Sequence, residues 1–254
     1  MSGICPSCGE EFDKPGLHWS HGTCPYPEIS PIQEAVFEGL LIGDGSIPKQ
    51  SGGNSALLHL PMINRRFLEW IDERLGILTT GVSLKKTASE LASNNRESGF
   101  SPNAKEERYH DMYTIWTRTH PYFEDLRERW YPDRNKQFPD DLELTPLRAK
   151  LWYLCDGYLD VGQHGRPRIE IKARNEEKRA EFLVGLFEDV GFSPLYKRHE
   201  LRFTCDETEH LVEWMGDPLP GFEYKWALGS REQYHELKQE AYEEHATQTI
   251  EVED

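Results

Sequence analysis

The chain lacks any run of about 18 apolar residues, which excludes a membrane-spanning helix. Met1 to Cys8 carry neither a basic start nor an apolar stretch, so no secretory signal is expected and a cytoplasmic location follows. Cysteine is scarce, five in all, and three of the five fall within the first 24 residues, which points to a metal knuckle rather than a disulfide framework. Basic residues are short as well: Lys and Arg number 29 against 45 Asp and Glu, a formal charge of −16. Six acids and no Lys or Arg lie between Gln239 and Asp254, read here as a solvated helix end fraying into disorder. The rest of the chain still carries about −10, which by itself argues against a nucleic-acid partner. A high-salt cytoplasm would favour such an acidic surface, with Arg (17) above Lys (12), so a halophilic origin is one account of the charge. What is there is 254 residues, 37% of them hydrophobic, enough for a sizeable core in one large domain or two small ones.

The dominant pattern is a duplication. Glu38-Gly-Leu-Leu-Ile-Gly-Asp-Gly45 is apolar and closes on an acid followed by glycine, and Lys150-Leu-Trp-Tyr-Leu-Cys-Asp-Gly157 repeats that form 112 residues later. Leu58 and Leu60 alternate before Asn64, as Ile169 and Ile171 do before Asn175 at an offset of 111. Period-two alternation predicts a strand, and each Asn a helix N-cap. Amphipathic helices follow, through Phe67, Leu68, Ile71 and Leu75 to Gly76, and through Phe182, Leu183, Leu186, Phe187 and Val190 to Gly191. Two more strands per copy end in Tyr113–Thr117 and Leu201–Thr204, and shorter helices follow near Tyr122–Trp130 and Thr208–Met215. Residues 87–108 of the first copy are polar and without apolar period, and are expected to form a mobile insertion loop. The fold class implied is α+β. Boundaries are placed at 1–30 for the cysteine-rich segment, 31–143 and 144–238 for the two copies, and 239–254 for the acidic tail.

Pro31 and Pro146 sit near the starts of the two acid-ending helices, where a missing N–H is harmless. Gly39 and Gly43 lie four apart on one face and would admit a second helix closely; the second copy has Leu151 and Cys155 there. If these helices pair, their C-termini bring Asp44 and Asp156 together, against both mutual repulsion and the negative ends of the helix dipoles. A hard divalent ion such as Mg²⁺ would relieve that conflict through carboxylate oxygens.

With these residues the chain resembles the LAGLIDADG homing endonucleases, in particular their single-chain, two-copy branch. The resemblance rests on Phe37-Glu-Gly-Leu-Leu-Ile-Gly-Asp-Gly-Ser-Ile47 and Leu147-Arg-Ala-Lys-Leu-Trp-Tyr-Leu-Cys-Asp-Gly157. His120-Pro121, Phe138-Pro139, Leu144-Thr-Pro-Leu147 and Glu223-Tyr-Lys-Trp226 add to it, and it covers about Ile32 to Leu228. It implies two pseudo-symmetric αββαββα units, saddle-shaped sheets lying in DNA major grooves, and acids held over the minor groove. Asp44 and Asp156, with backbone at Gly43 and Cys155, match the family's Mg²⁺ site, and Lys136 and Lys225 match its basic residues near the scissile phosphate. The bulk of Leu151 and Trp152 departs from the usual small-residue helix face and implies a wider helix pair. The expected activity is double-strand DNA cleavage leaving 3′-hydroxyl and 5′-phosphate ends, by a monomer. A regulator or maturase-like splicing factor binding DNA or RNA on the same fold is the alternative. The chain starts at Met1 and lacks obvious splicing ends, so it is read as free-standing rather than as part of an intein.

Cys5-Pro-Ser-Cys8-Gly9 is a tight turn able to present two thiolates to one metal. Cys24 is the third ligand expected for a structural Zn²⁺, and the fourth is His18 or His21. His18 is preferred because Leu17 and Trp19 flank it. Cys155 and Cys205 are expected in the core, as are Trp70, Trp116, Trp130 and Trp214, while His110, His120 and His164 are placed in turns or on the surface. A DNA-binding chain this acidic needs a local cationic face, for which Lys85, Lys86, Arg118, Arg166, Arg168, Lys172, Lys197 and Arg202 are the candidates.

Overall fold

The computed structural model describes residues 3–12, 14–20, 22, 24–48, 56–162 and 166–247. At the N-terminus, β1 (Gly3–Ile4) and β2 (Glu11–Phe12) pair antiparallel and lead into α1 (Pro15–Ser20). The first unit then runs α2 (Pro31–Ile42), β3 (His59–Met62), α3 (Arg65–Leu75), β4 (Thr79–Lys86), α4 (Ala88–Glu97), β5 (Met112–Thr117) and α5 (Pro121–Trp130). The second runs α6 (Pro146–Asp156), β6 (Gly157–Asp160), β7 (Arg168–Lys172), α7 (Ala180–Glu188), β8 (Leu195–Lys197), β9 (Glu200–Arg202) and α8 (Cys205–Met215), and α9 (Arg231–Thr247) follows. Both sheets are antiparallel, ordered β3-β5-β4 and β6-β7-β9-β8. The first strand of the first unit is reduced to a bridge between Ser46 and His59, at the place where Tyr158 of β6 faces Glu170 of β7 in the second. This is the α+β, twice-built architecture expected from the repeat. No helix among the described residues is long and apolar enough to cross a membrane.

Local chemistry explains where the two acid-ending helices begin. Ser30 and Gln33 form a reciprocal capping box at α2, and Thr145 accepts from the Arg148 N–H at α6, each just before a proline at the first helical position. Asn64 caps α3 by accepting from Phe67 N–H at 3.0 Å. Asn175 does not act as its counterpart. It lies inside a 3-10 turn, Arg174–Arg179, whose buried Glu176 accepts the Phe138 N–H, so α7 starts only at Ala180.

Two other expectations change. Residues 87–108 are not a bare loop: Thr87 and Glu90 form a capping box for α4, and Arg96 reaches the Ala104 carbonyl. α4 buries only Ala92, so it has no apolar period to read from sequence. The acidic end is helical as far as Thr247, and Ala241 is buried; residues 248–254 lie outside the described residues. His120 is buried rather than superficial, capping α5 and bonding the Pro27 carbonyl at 2.8 Å. Trp130 is core, Trp70 and Trp214 are half-buried, and Cys205 is half-exposed at the start of α8. His110 is half-buried with its ring against Tyr242, and His164 lies outside the described residues.

The α2–α6 pairing organises the core. A Cβ on Gly39 would sit 2.6 Å from Leu151 Cδ1, and one on Gly43 only 2.4 Å from Cys155 Cβ. The bulk of Leu151 therefore does not separate the helices: its side chain fills the space that the glycine vacates. Trp152 does not fill that seam: its ring packs between Phe138, from the segment that joins α5 to α6, and Phe187 of α7. Further along α2, buried Glu38 is ion-paired with both Arg129 of α5 and Arg148 of α6. Substituting Gly43→Val should cost about 3 kcal/mol by overpacking, read as a lower denaturant midpoint at unchanged slope. Wild-type stability in that variant would mean the helices are not in contact there.

Candidate active site

α2 closes at Gly43 and α6 at Gly157, and the next or last residue of each is an acid. Asp44 and Asp156 line one cleft together with Lys136, Lys172, Arg174 and Glu176. Asp44 is exposed and Asp156 half-exposed by surface, yet the cleft walls crowd both carboxyls and thin the water around them. Burial of its carboxyl raises Asp44, against the pull of Lys136 and Lys225. Asp156 is pushed up to about 7, first by burial and then by the charge of Asp44, with Lys136, Lys225 and Lys172 opposing. Each acid is held where its ionised form is unfavourable without a cation.

Both lysines named from the resemblance sit at these helix ends. Lys136 donates to the carbonyls of Gly43 (2.6 Å) and Gly45 (2.7 Å). Buried Lys225 donates to those of Tyr153 (3.1 Å), Leu154 (2.7 Å) and Gly157 (2.6 Å). These carbonyls lie in the last turn of each helix or just beyond it, at the negative end of the helix dipole, the natural place for a cation. Burial lowers Lys136 against the opposing charges of Asp156, Cys155 and Asp44, and brings Lys225 down to about 8. The loop carrying Lys136 is fixed by Phe138, whose N–H meets Glu176 and whose carbonyl meets Arg179. Lys225 sits in a 3-10 turn, Glu223–Trp226, whose Lys225 carbonyl accepts from Tyr153 OH. Cys155, wedged in the α2–α6 seam, has a thiol pushed up to about 12 by burial and by the Asp44 charge.

The outer sheet faces are mixed in charge. Lys85, Arg168, Lys172 and Lys197 are exposed and Lys86 is half-buried. Three other candidates have partners within the chain. Arg166 pairs with Asp206 and Glu209, Arg202 with Glu200 and Glu170, and Arg118 donates to the Ile77 carbonyl. Glu170 and Glu200 flank the Tyr158 hydroxyl at the centre of the second sheet. In the first sheet the matching place holds His59 stacked on Trp116 at 3.9 Å, so this tryptophan is on the outer face, not in the core. Burial, with help from Lys85, pushes His59 down to about 4 and leaves it neutral. Arg174 was not among the residues picked from sequence; comparing the copies one position before Asn64 and Asn175 would have shown a cation in one copy only.

Near the N-terminus, ligand atoms of Cys5, Cys8, His18 and Cys24 all lie within 4.8 Å of one another. Cys5 and Cys24 sulfurs are 3.6 Å apart, and Cys8 Sγ is 3.5 Å from His18 Nε2. A tetrahedral ion with metal–sulfur bonds of about 2.3 Å spaces its ligand atoms about 3.8 Å apart, so the four atoms suit one ion. Phe12 stacks on His18, and Trp19 Nε1 donates to Cys5 Sγ at 3.3 Å. His21 lies outside the described residues. The cluster docks on the first unit through Ile77 and through Tyr26, whose ring meets His120 edge-on.

Comparison with known proteins places these features. Residues 34–203 match the profile described as the LAGLIDADG DNA endonuclease family. An uncharacterized protein of Methanocaldococcus jannaschii is 27% identical over 186 residues, 69% of this chain and 63% of that protein, so the chain spans less than two thirds of that relative. The solved structure of the homing endonuclease I-WcaI bound to its DNA recognition sequence superposes with a TM-score of 0.63 at 16% identity, covering 80% of this chain and 89% of that one. At that identity the similarity establishes the fold.

The acids make stability fall with pH in metal-free buffer. With a folded value of about 7 against an ordinary 3.8, Asp156 binds more protons folded than unfolded between those values, so stability drops as pH rises across that window. Asp44 acts in the same direction. Asp156→Asn should flatten this slope in urea midpoints taken from pH 4 to pH 7; a slope as steep as wild type would place its cause elsewhere.

Proposed function

The chain belongs to the LAGLIDADG DNA endonuclease family, and from that premise we propose that it is a site-specific, Mg²⁺-dependent endonuclease of the homing type that cuts double-stranded DNA as a monomer. The observation that carries this reading is the meeting of Asp44 and Asp156 in one cleft at the ends of two helices in close contact. Two carboxylates raised by burial, Asp156 also by the charge of Asp44, and only in part offset by the neighbouring lysines, offer hard oxygen donors, which is the donor chemistry a divalent ion fits. When bound there, such an ion supplies charge neutralisation and Lewis acidity at a phosphate. The residues do the rest. Asp44 and Asp156 hold the cation, and Lys136 keeps the helix end in place while facing the same cleft. Lys172 and Arg174 bring positive charge to the cleft wall, where negative charge builds on the phosphate oxygens as the bond to O3′ breaks. The exposed Lys85, Arg168 and Lys197 on the outer sheet faces suit the DNA backbone, whose attraction is local and outweighs the acidic remainder only at close range. The Cys5, Cys8, His18 and Cys24 cluster reads as a structural Zn²⁺ site, because a segment this short gains its folding energy from the metal.

A binding protein on the same fold, a regulator or splicing factor acting on DNA or RNA, draws support from Glu170 and Glu200 at the centre of the second sheet face and from the paired Arg166 and Arg202. One experiment separates the two. Asp44→Asn and Asp156→Asn should each reduce Mg²⁺-dependent cleavage by about 100-fold or more while leaving metal-free DNA binding near wild type. A wild type that binds DNA but never cuts it would favour the regulator; either variant cutting at full rate would remove the paired-acid site.

Elemental analysis of the purified protein should find one zinc per chain, lost in the Cys5→Ser, Cys24→Ser double variant. Chelation should then expose Trp19 to solvent, seen in its fluorescence, without melting the two-unit body. Purified wild type free of bound metal would reject the site.

A further inference from the structure

The segments that carry the two buried lysines continue differently. Past Lys136 the chain runs into α6, which is buried in the core. Past Lys225 it runs into α9, which opens no third unit. The segment carrying Lys225 is held at its start by Asn64 Nδ2, which donates to the Pro220 carbonyl at 3.0 Å, and within by Tyr153 OH, which donates to the Lys225 carbonyl at 2.9 Å. On its remaining side Tyr224 faces α9, meeting Tyr234 edge-on at 5.8 Å and Tyr242 at 6.4 Å.

α9 turns Tyr234, Leu237, Lys238, Ala241 and Tyr242 inward, a stripe of helical period, and leaves Glu232, Glu236, Gln239 and Glu240 in solvent. The Lys238 ammonium lies within this stripe, 5.8, 5.5 and 5.9 Å from the ring centres of Tyr224, Tyr234 and Tyr242. A leucine would serve for burial at such a position. Only a cation is drawn to the electron-rich faces of three rings at once. Tyr242 also reaches the first unit: its ring is 5.1 Å from that of His110, and it lines one pocket with Ile63, Asn64, Cys155 and Lys225. Lys225 has all three of its N–H donors on carbonyls, so it leaves them only if its turn moves.

We infer that Lys238 is a positioning residue for Lys225: its ammonium clamps Tyr224 to α9, and the clamp keeps the turn that carries Lys225 on the end of α6. The consequence for cleavage rests on the endonuclease reading and deepens it. Three cation–ring contacts hold the turn closed, and their loss should raise the open fraction about tenfold.

Full-length protein without added divalent metal is treated briefly with formaldehyde and cyanoborohydride, and dimethylation at each lysine is followed by mass spectrometry. Buried Lys225 should label more slowly than exposed Lys85 and Lys197. Lys238→Met keeps the length and bulk of the side chain and drops the charge. It should speed labelling of Lys225 about tenfold and leave Lys136 at its wild-type rate. Tyr242→Leu should act in the same direction, and Lys238→Arg, which keeps a cation over the rings, should label as wild type does. On a duplex selected by binding, Lys238→Met should cut about tenfold more slowly in Mg²⁺ at saturating DNA, with metal-free affinity unchanged and the rate recovered in Lys238→Arg. Lys225 labelling indifferent to Lys238→Met, a rise shared equally by Lys136, or no recovery with arginine would overturn the inference and leave the endonuclease reading standing. So would a cutting rate that stays at wild type while Lys225 labels faster. A wild type that never cuts would remove the endonuclease reading, and the labelling rates would still decide whether the clamp exists.

Discussion

The contact between α2 and α6 is the constraint on which the rest of this molecule depends. It is one-sided: Gly39 and Gly43 supply the space, and Leu151 and Cys155 fill it. Because the two helix ends are held at that distance, Asp44 and Asp156 are forced into one cleft against their electrostatic preference. Buried Glu38, shared by Arg129 and Arg148, ties the same helix to both units. Removing either arginine would leave that carboxylate buried with half its compensation, so the triad specifies the pairing more than it adds stability.

Two buried lysines follow from the same geometry. A helix C-terminus leaves carbonyls without partners inside the helix. Lys136 and Lys225 bond carbonyls there, and their charges oppose the rise in the acids' pKa values. The cost of burying each ammonium is visible in its lowered pKa. One side chain therefore closes a helix and moderates the site, and the number of donors it commits to closure decides what is left for a ligand. That is where the two units diverge despite their common plan.

Net charge averages over a surface whose local balance differs from place to place. At −16 the chain as a whole repels a polyanion. Potential at a cleft is set by the charges within a Debye length, about 8 Å at physiological salt, and there Lys136, Lys172 and Arg174 stand beside the acids. Much of the remaining arginine is neutralised by neighbours: Arg166 by Asp206 and Glu209, Arg179 by Asp140 and Glu176.

The repeat, its Asp-Gly helix ends, the Asn64 cap and the Cys-Pro-Ser-Cys turn were all determined by local pattern, since periodicity, caps and ligand spacing act within a few residues of chain. α4 escaped notice because a helix that buries one alanine has no apolar stripe, and Asn175 failed as a cap because Glu176 is claimed by Phe138 from a distant loop. Which lysine keeps a donor and which arginines are already paired are properties of side chains brought together across 40 to 93 residues of sequence. Only tertiary structure decided those, because hydrogen-bond donors and charges are shared out by proximity in space, and sequence spacing carries no information about that sharing.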